Sequence, residues 1–353
     1  MKILIIQQKM IGDVLATSIL FEVIKHRLPN AKLHYVINSH TFPVVENNPF
    51  IDKFHYFTSE HEKSKLELYK FAKTLSKEKF DVVIDVYSKF SSNLITLISK
   101  ANIKVSKHKW YTSWIYSHTF KEAKIPKTNA GLAIENRLQL LKPLGINSDE
   151  IVKPKIYLTD SEKTKARLFI ESHNITLSHP IYMIGVLGSG SNKTYPFKYM
   201  SDIIDNIVEA KPESQILFNY IPNQEEEAKT IFELCSTETK KHIFFNVFGS
   251  SLRDFLALTF YCDALIGNEG GATNMAKAIN IPTFTIFSPW IKKEAWNMFD
   301  DDKQNVSVHL KDYKPELFTE KSTKELKKNW KLLYERFAPN LIKSSLQKFL
   351  KHI

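Results

Sequence analysis

Three short stretches combine residue types that could move a proton and hold an anion. In "QQKMIGDVLATS" (7–18) an apolar run ends at Ile6, and Gly12-Asp13 stands at the entry to a helical pattern. Glycine lets backbone approach a ligand with no Cβ in the way. The helix dipole favours an ionised Asp13, which could act as general base toward a substrate hydroxyl or simply cap the helix. In "GVLGSGSNKTYPFKYM" (185–200) a strand pattern leads into glycines, the hydroxyls of Ser189 and Ser191, and Lys193. Free amides, hydroxyls and an ammonium together suit a diphosphate, with an ordinary polar loop as the alternative. The Gly-Lys-Ser/Thr ending of a Walker loop is absent. In "IGNEGGATNMAKAI" (266–279) Glu269 precedes Gly270 and Gly271 at a helix entrance. Bare amides there favour anions, whereas a carboxylate repels phosphate and suits sugar or ribose hydroxyls. The bland alternative is a turn.

These residues need strands to carry them. Short apolar runs at 3–6, 33–37, 53–57, 81–85 and 103–106 read as buried parallel strands, and so do 182–186, 215–219, 243–247, 263–267, 283–287 and 305–308. Helical patterns separate most of them, notably 11–28, 62–78 and 160–172. This alternation predicts an α/β protein with parallel sheets and right-handed crossovers. It weakens between Lys142 and Pro180, and 353 residues exceed one ordinary core. Two Rossmann-like domains are therefore expected, over 1–155 and 156–335, facing a central cleft lined by the carboxyl ends of their strands.

Lys and Arg number 49 against 38 Asp and Glu, a formal net charge of +11, which favours anionic partners or reflects a lysine-rich composition. Two cysteines exclude a disulfide framework, and no apolar run approaches the length of a membrane span or a signal-peptide core. A cytoplasmic protein is expected. The run Asp300-Asp301-Asp302 reads as a solvated cluster, and the twelve histidines show no ligand spacing.

Segment 100–128 carries seven lysines and one acidic residue among Trp110, Tyr111, Trp114, Tyr116 and Phe120. Lysine with interfacial aromatics suits a phosphorylated glycolipid at a membrane surface, single-stranded nucleic acid, or a partly buried domain edge. Residues Trp330, Leu333, Phe337, Leu341, Leu346 and Phe349 predict amphipathic helices near the C-terminus, as a clasp or a membrane contact.

At these places the chain resembles the ADP-heptose:lipopolysaccharide heptosyltransferases, inverting glycosyltransferases of the GT-B fold. The likeness is carried by residues 1–38, by "NPFIDKFHYF" (48–57), by "KTYP" (193–196), similar to a Lys-x-Trp-Pro signature, and by "GNEGGATNMAKAINIPTFTIFSP" (267–289). The resemblance implies Asp13 as catalytic base. Gly12 and, from the basic aromatic segment, Lys107, Lys109 and Trp110 are the candidates for the acceptor side. The resemblance implies donor contacts from Ser189, Lys193, Glu269, Gly270, Gly271 and Asn274. Glu225 would hold the ribose, or Gln224 under a one-residue shift. It further implies a nucleotide-sugar donor, an ADP-sugar, with no metal or other cofactor. The implied acceptor is an anionic glycolipid at the cytoplasmic face of the inner membrane, with no nucleic acid. A last helix over 336–353 would cross back onto the first domain. Four positions depart from the family pattern: Glu269 for Asp, Gly270 for Thr, Asn274 for His and Tyr195 for Trp. The alternatives are a GT-B transferase using a UDP- or GDP-sugar, a silent family member, and a non-catalytic nucleic-acid-binding α/β protein.

Overall fold

The structure, a computed structural model, describes residues 1–147 and 151–353; residues 148–150, in the expected joining segment, lie outside the described residues. The chain divides into two compact units, Met1–Tyr157 and Leu158–Ile353.

The first unit is built on a parallel sheet of strands β1 (Lys2–Ile6), β2 (Lys32–Asn38), β3 (Lys53–Phe57), β4 (Val82–Asp85), β5 (Ile103–Lys107) and β6 (His118–Phe120), in the order β3-β2-β1-β4-β5-β6. In β1 the residues Ile3, Leu4, Ile5 and Ile6 are fully buried. An all-apolar run with no alternation is what a central parallel strand covered on both faces requires. The order reverses between β1 and β4, whose crossovers leave in opposite directions, and such a switch point opens a crevice at the strands' carboxyl ends. Strand β6 was not foreseen: three residues with two polar side chains carry no periodic signal.

The second unit has a parallel sheet of β7 (Ile181–Gly185), β8 (Gln215–Asn219), β9 (Ala264–Asn268), β10 (Thr283–Ile286) and β11 (Asn305–Val308), ordered β11-β10-β9-β7-β8. Its switch point lies between β7 and β9. Gly185 and Gly267 face each other there. A Cβ on Gly267, whose φ is +140°, would lie 2.4 Å from the Gly185 carbonyl oxygen, so only glycine fits.

One expectation fails. Residues 243–247 form no strand: a single bridge joins Ile243 to Ile216, and the chain then turns back. The aromatic signal there belongs to side-chain packing, because Phe245 sits against Phe218, Tyr220 and Phe232. The helix Pro339–His352, expected as a clasp, turns its apolar face to the second unit. Ile342, Leu346, Phe349 and Leu350 are buried in the second unit's own core with Phe284, Ile204 and Ile207. An amphipathic stripe shows that a face is covered without showing by what.

Candidate active site

In the first unit, the apolar run of β1 ends at Ile6 and the helix Ile11–Thr17 begins five residues later. Asp13 lies in its first turn but does not cap it; Met10 is the N-cap and makes no side-chain bond there. The carboxylate instead accepts a hydrogen bond from Arg137 Nη2 at 2.7 Å, with the Asp13 side chain 24% exposed. Arg137, on the helix Leu132–Leu138, also donates from Nε to Thr17 Oγ1 at 2.9 Å and from Nη1 to the Ala133 carbonyl at 2.6 Å. A guanidinium held at three points is a rigid orienter for a carboxylate. The geometry leaves Asp13 aimed and still reachable.

The neighbouring strand β4 ends in a second carboxyl group that the sequence did not advertise. Asp85 is fully buried and opposite Ile6 in the ladder. It accepts from Tyr116 Oη at 2.6 Å and from the Ser88 amide at 2.7 Å. Burial pushes its pKa up to about 6 against these hydrogen bonds, which pull it down. Among the acceptor-side residues, Lys109 donates to the Ser88 carbonyl beside Asp85, and Lys107 pairs with Glu122 at 3.6 Å. Burial and the nearby Lys107 and Lys89 lower the pKa of Lys109. Trp110 is 82% exposed and Trp114 71%, so these rings are not a buried domain edge.

In the second unit, the loops following β7 and β9 meet. Asn268 at the end of β9 joins them: its Nδ2 donates to the carbonyls of Gly185 and Val186, and its Oδ1 accepts from the Tyr195 amide at 2.7 Å. Gly188 is required by close approach, since a Cβ there would lie 2.3 Å from the Lys193 carbonyl oxygen. The loop so folded brings Lys193 Nζ to 3.2 Å from Glu269 Oε1, with side-chain exposures of 31% and 10%. The pair is an ion pair without hydrogen-bond geometry, and Oε1 has no hydrogen-bond partner. Open space lies where a Gly270 Cβ would project, and a Gly271 Cβ would meet only the tip of Met275 at 3.9 Å. These two glycines relieve no clash within the chain; they leave bare backbone in front of the helix Gly271–Ala278, which carries Asn274.

The remaining expected residues are placed unequally. Ser189 is on the exposed part of the loop. Glu225 is also exposed, at the start of the helix Glu225–Leu234, whereas Gln224 Nε2 donates to the Gly188 carbonyl at 2.9 Å. The one-residue shift therefore gives the side chain that touches the loop. Tyr195 is a core residue, fully buried and donating to the Phe337 carbonyl at 2.6 Å. The aspartate run is not merely solvated: Asp300 accepts from Asn297 Nδ2 and Ser307 Oγ, and Asp301 from the amides of Lys303 and Asn305. The histidines do assemble one group, His34, His55 and Glu78, with ligand atoms within 4.8 Å. That group is closed on itself. His34 Nδ1 and His55 Nε2 lie 3.0 Å apart, and Glu78 pairs with Lys53 at 2.6 Å and Lys2 at 3.0 Å.

A chain of two parallel, doubly wound units, with an aimed carboxylate at one switch point and an anion-holding loop at the other, has the makings of a GT-B glycosyltransferase. Residues 68–327 match the profile of Glycosyltransferase family 9 (heptosyltransferase), and the chain belongs to that family. It is 25% identical over 300 residues to lipopolysaccharide heptosyltransferase 1 of Campylobacter coli, covering 81% of this chain and 84% of that protein. Its fold is that of the glycosyl transferase family 9 from Veillonella parvula, with a TM-score of 0.73 at 17% identity over 95% of this chain and 97% of the other. The E. coli ADP-heptose lps heptosyltransferase II gives a TM-score of 0.69 at 14% identity over 96% and 99%. The protein is a glycosyltransferase, which displaces the reading of a non-catalytic nucleic-acid-binding protein. Among the described residues no helix is long and apolar enough to cross a membrane.

Proposed function

We propose that the chain moves a heptose-like sugar from ADP-heptose to a hydroxyl of a lipopolysaccharide-core glycolipid, with inversion and without a metal. The observation that carries the reading is Glu269, a nine-tenths buried carboxylate ion-paired with Lys193 through an Oε1 that no hydrogen-bond donor of the chain satisfies. A carboxylate for sugar hydroxyls next to an ammonium and bare amides for phosphate suits a sugar diphosphate. The names of the relatives, a lipopolysaccharide heptosyltransferase and an ADP-heptose lps heptosyltransferase, support the donor and acceptor classes.

The chemistry divides between the units. Asp13, oriented by Arg137, takes the acceptor proton as the hydroxyl oxygen attacks the anomeric carbon. The bond from that carbon to the diphosphate oxygen breaks with its electron pair leaving on ADP. Lys193 and the amides at Gly270 and Gly271 stabilise the charge that builds there. Gln224 takes the ribose-side role and Ser189 a phosphate contact. On the acceptor side, Lys107, Lys109 and Trp110 meet the phosphorylated glycolipid at the cytoplasmic face of the inner membrane.

Calorimetric titration with ADP, UDP and GDP tests the donor assignment. ADP is expected to bind at least about tenfold more tightly than the other two, a difference of roughly 1.4 kcal/mol. Equal affinity for all three, or tighter binding of UDP or GDP, would remove ADP-heptose as the donor.

A further inference from the structure

We infer that Lys327, seated on Trp290, is a second cation for the donor's diphosphate, acting with Lys193; the inference rests on the donor-site reading above. Trp290 lies in the loop after β10, the strand next to β9. Its indole Nε1 donates to the Asn192 carbonyl at 2.7 Å, and Ser288 Oγ donates to the same oxygen at 2.8 Å. The ring is thus pinned to the residue just before Lys193.

Two ammoniums converge on that ring. Lys193 Nζ is 5.9 Å from its centroid and Lys327 Nζ 4.8 Å. The electron-rich face attracts each, but does not cancel their mutual repulsion. Lys193 has Glu269 for a partner, while Lys327 has no ion-pair partner among the described residues. The nearest acid on its own helix, Glu325, is committed to the capping box with Ser322. Two cations and one carboxylate leave an excess positive charge at the mouth of the loop that a diphosphate would neutralise. Nothing in the family likeness pointed to Lys327, which falls in a lysine-rich stretch read only as an amphipathic helix.

The test is calorimetry with ADP and with adenosine on the full chain, comparing wild type with Lys193→Gln, Lys327→Gln and Lys328→Gln. Lys328 is an exposed neighbour on the same helix and serves as the control. Lys327→Gln is expected to weaken ADP about fivefold to tenfold at low salt and less at high salt, leaving adenosine unchanged. Lys328→Gln is expected to change ADP affinity by less than about twofold. If Lys193→Gln weakens ADP and Lys327→Gln does not, the inference fails while the donor-site reading stands. If wild type does not bind ADP, both fail. Equal losses in Lys327→Gln and Lys328→Gln would reduce the effect to general surface charge and overturn the specific role.

Discussion

The two switch points use one architecture for opposite electrostatic ends. Beyond β1 and at the end of β4 the chain delivers carboxyl groups, Asp13 oriented by an arginine and Asp85 sealed in the sheet. At β7 and β9 it delivers glycines and a lysine paired with the nine-tenths buried Glu269, so that backbone and ammonium are offered beside a single acid. The first end suits proton removal and the second suits a leaving anion. A parallel sheet fixes only where side chains and loops emerge; the residue types at its carboxyl ends decide the chemistry.

The contrast is broken most severely at Asp13. Asp13→Asn keeps the shape and the Arg137 contact but removes the proposed base, and turnover is expected to fall by about 10²–10⁴-fold with ADP affinity unchanged. Lys193→Gln should invert that pattern in part, lowering kcat/KM by about 10²–10³-fold and weakening ADP as well. Steady-state kinetics paired with calorimetry separates the two.

Asp85 sharpens the comparison through pH. Its folded pKa of about 6 lies above the ordinary 3.8, so the folded chain holds this proton more tightly than the unfolded chain. The stability it confers is full below the unfolded value and is lost as pH rises through about 6. Chemical denaturation between about pH 4 and pH 7 should show a decline of roughly 2–3 kcal/mol from this group, and Asp85→Asn should flatten it. An unchanged slope in the variant would mean that Asp85 is ionised in the folded protein throughout.

Two glycines give the smaller effects. Gly188→Ala forces a Cβ against the Lys193 carbonyl and should cost about 1–3 kcal/mol in denaturant unfolding, loosening the loop that aims Lys193. Gly270→Ala meets open space, so its stability should stay within about 0.5 kcal/mol of wild type while the donor KM rises.

What could be read from sequence follows from how local each signal is. β1, β7 and β9 are mostly apolar runs, and Asp13, Lys193 and Glu269 each follow one of them within eight residues. Fold and candidate residues were legible there together. Arg137 was not, because its bond to Asp13 spans 124 residues. One weak signal existed: it is one of only five arginines in a chain that otherwise uses lysine. Asp85 read as the last letter of a strand, since burial cannot be seen in a single acidic residue. Phe244 and Phe245 misled in the other direction, because aromatic residues mark both strands and packed clusters. The C-terminal stripe was legible as a covered face, whereas its neighbours in the second unit's core were not. Pattern gives an element and its buried side, whereas long-range partners are set by the packing of the whole unit.

The central claim, that this chain transfers its sugar in one displacement from an ADP-linked donor, is met most directly by a product analysis. The protein would be incubated with ADP-heptose and heptose-free core glycolipid, and the released nucleotide and the new anomeric linkage followed by NMR. One ADP per sugar transferred and an inverted anomeric configuration are expected. Retention of configuration, or transfer from UDP- or GDP-linked sugars in preference to ADP-heptose, would contradict the claim.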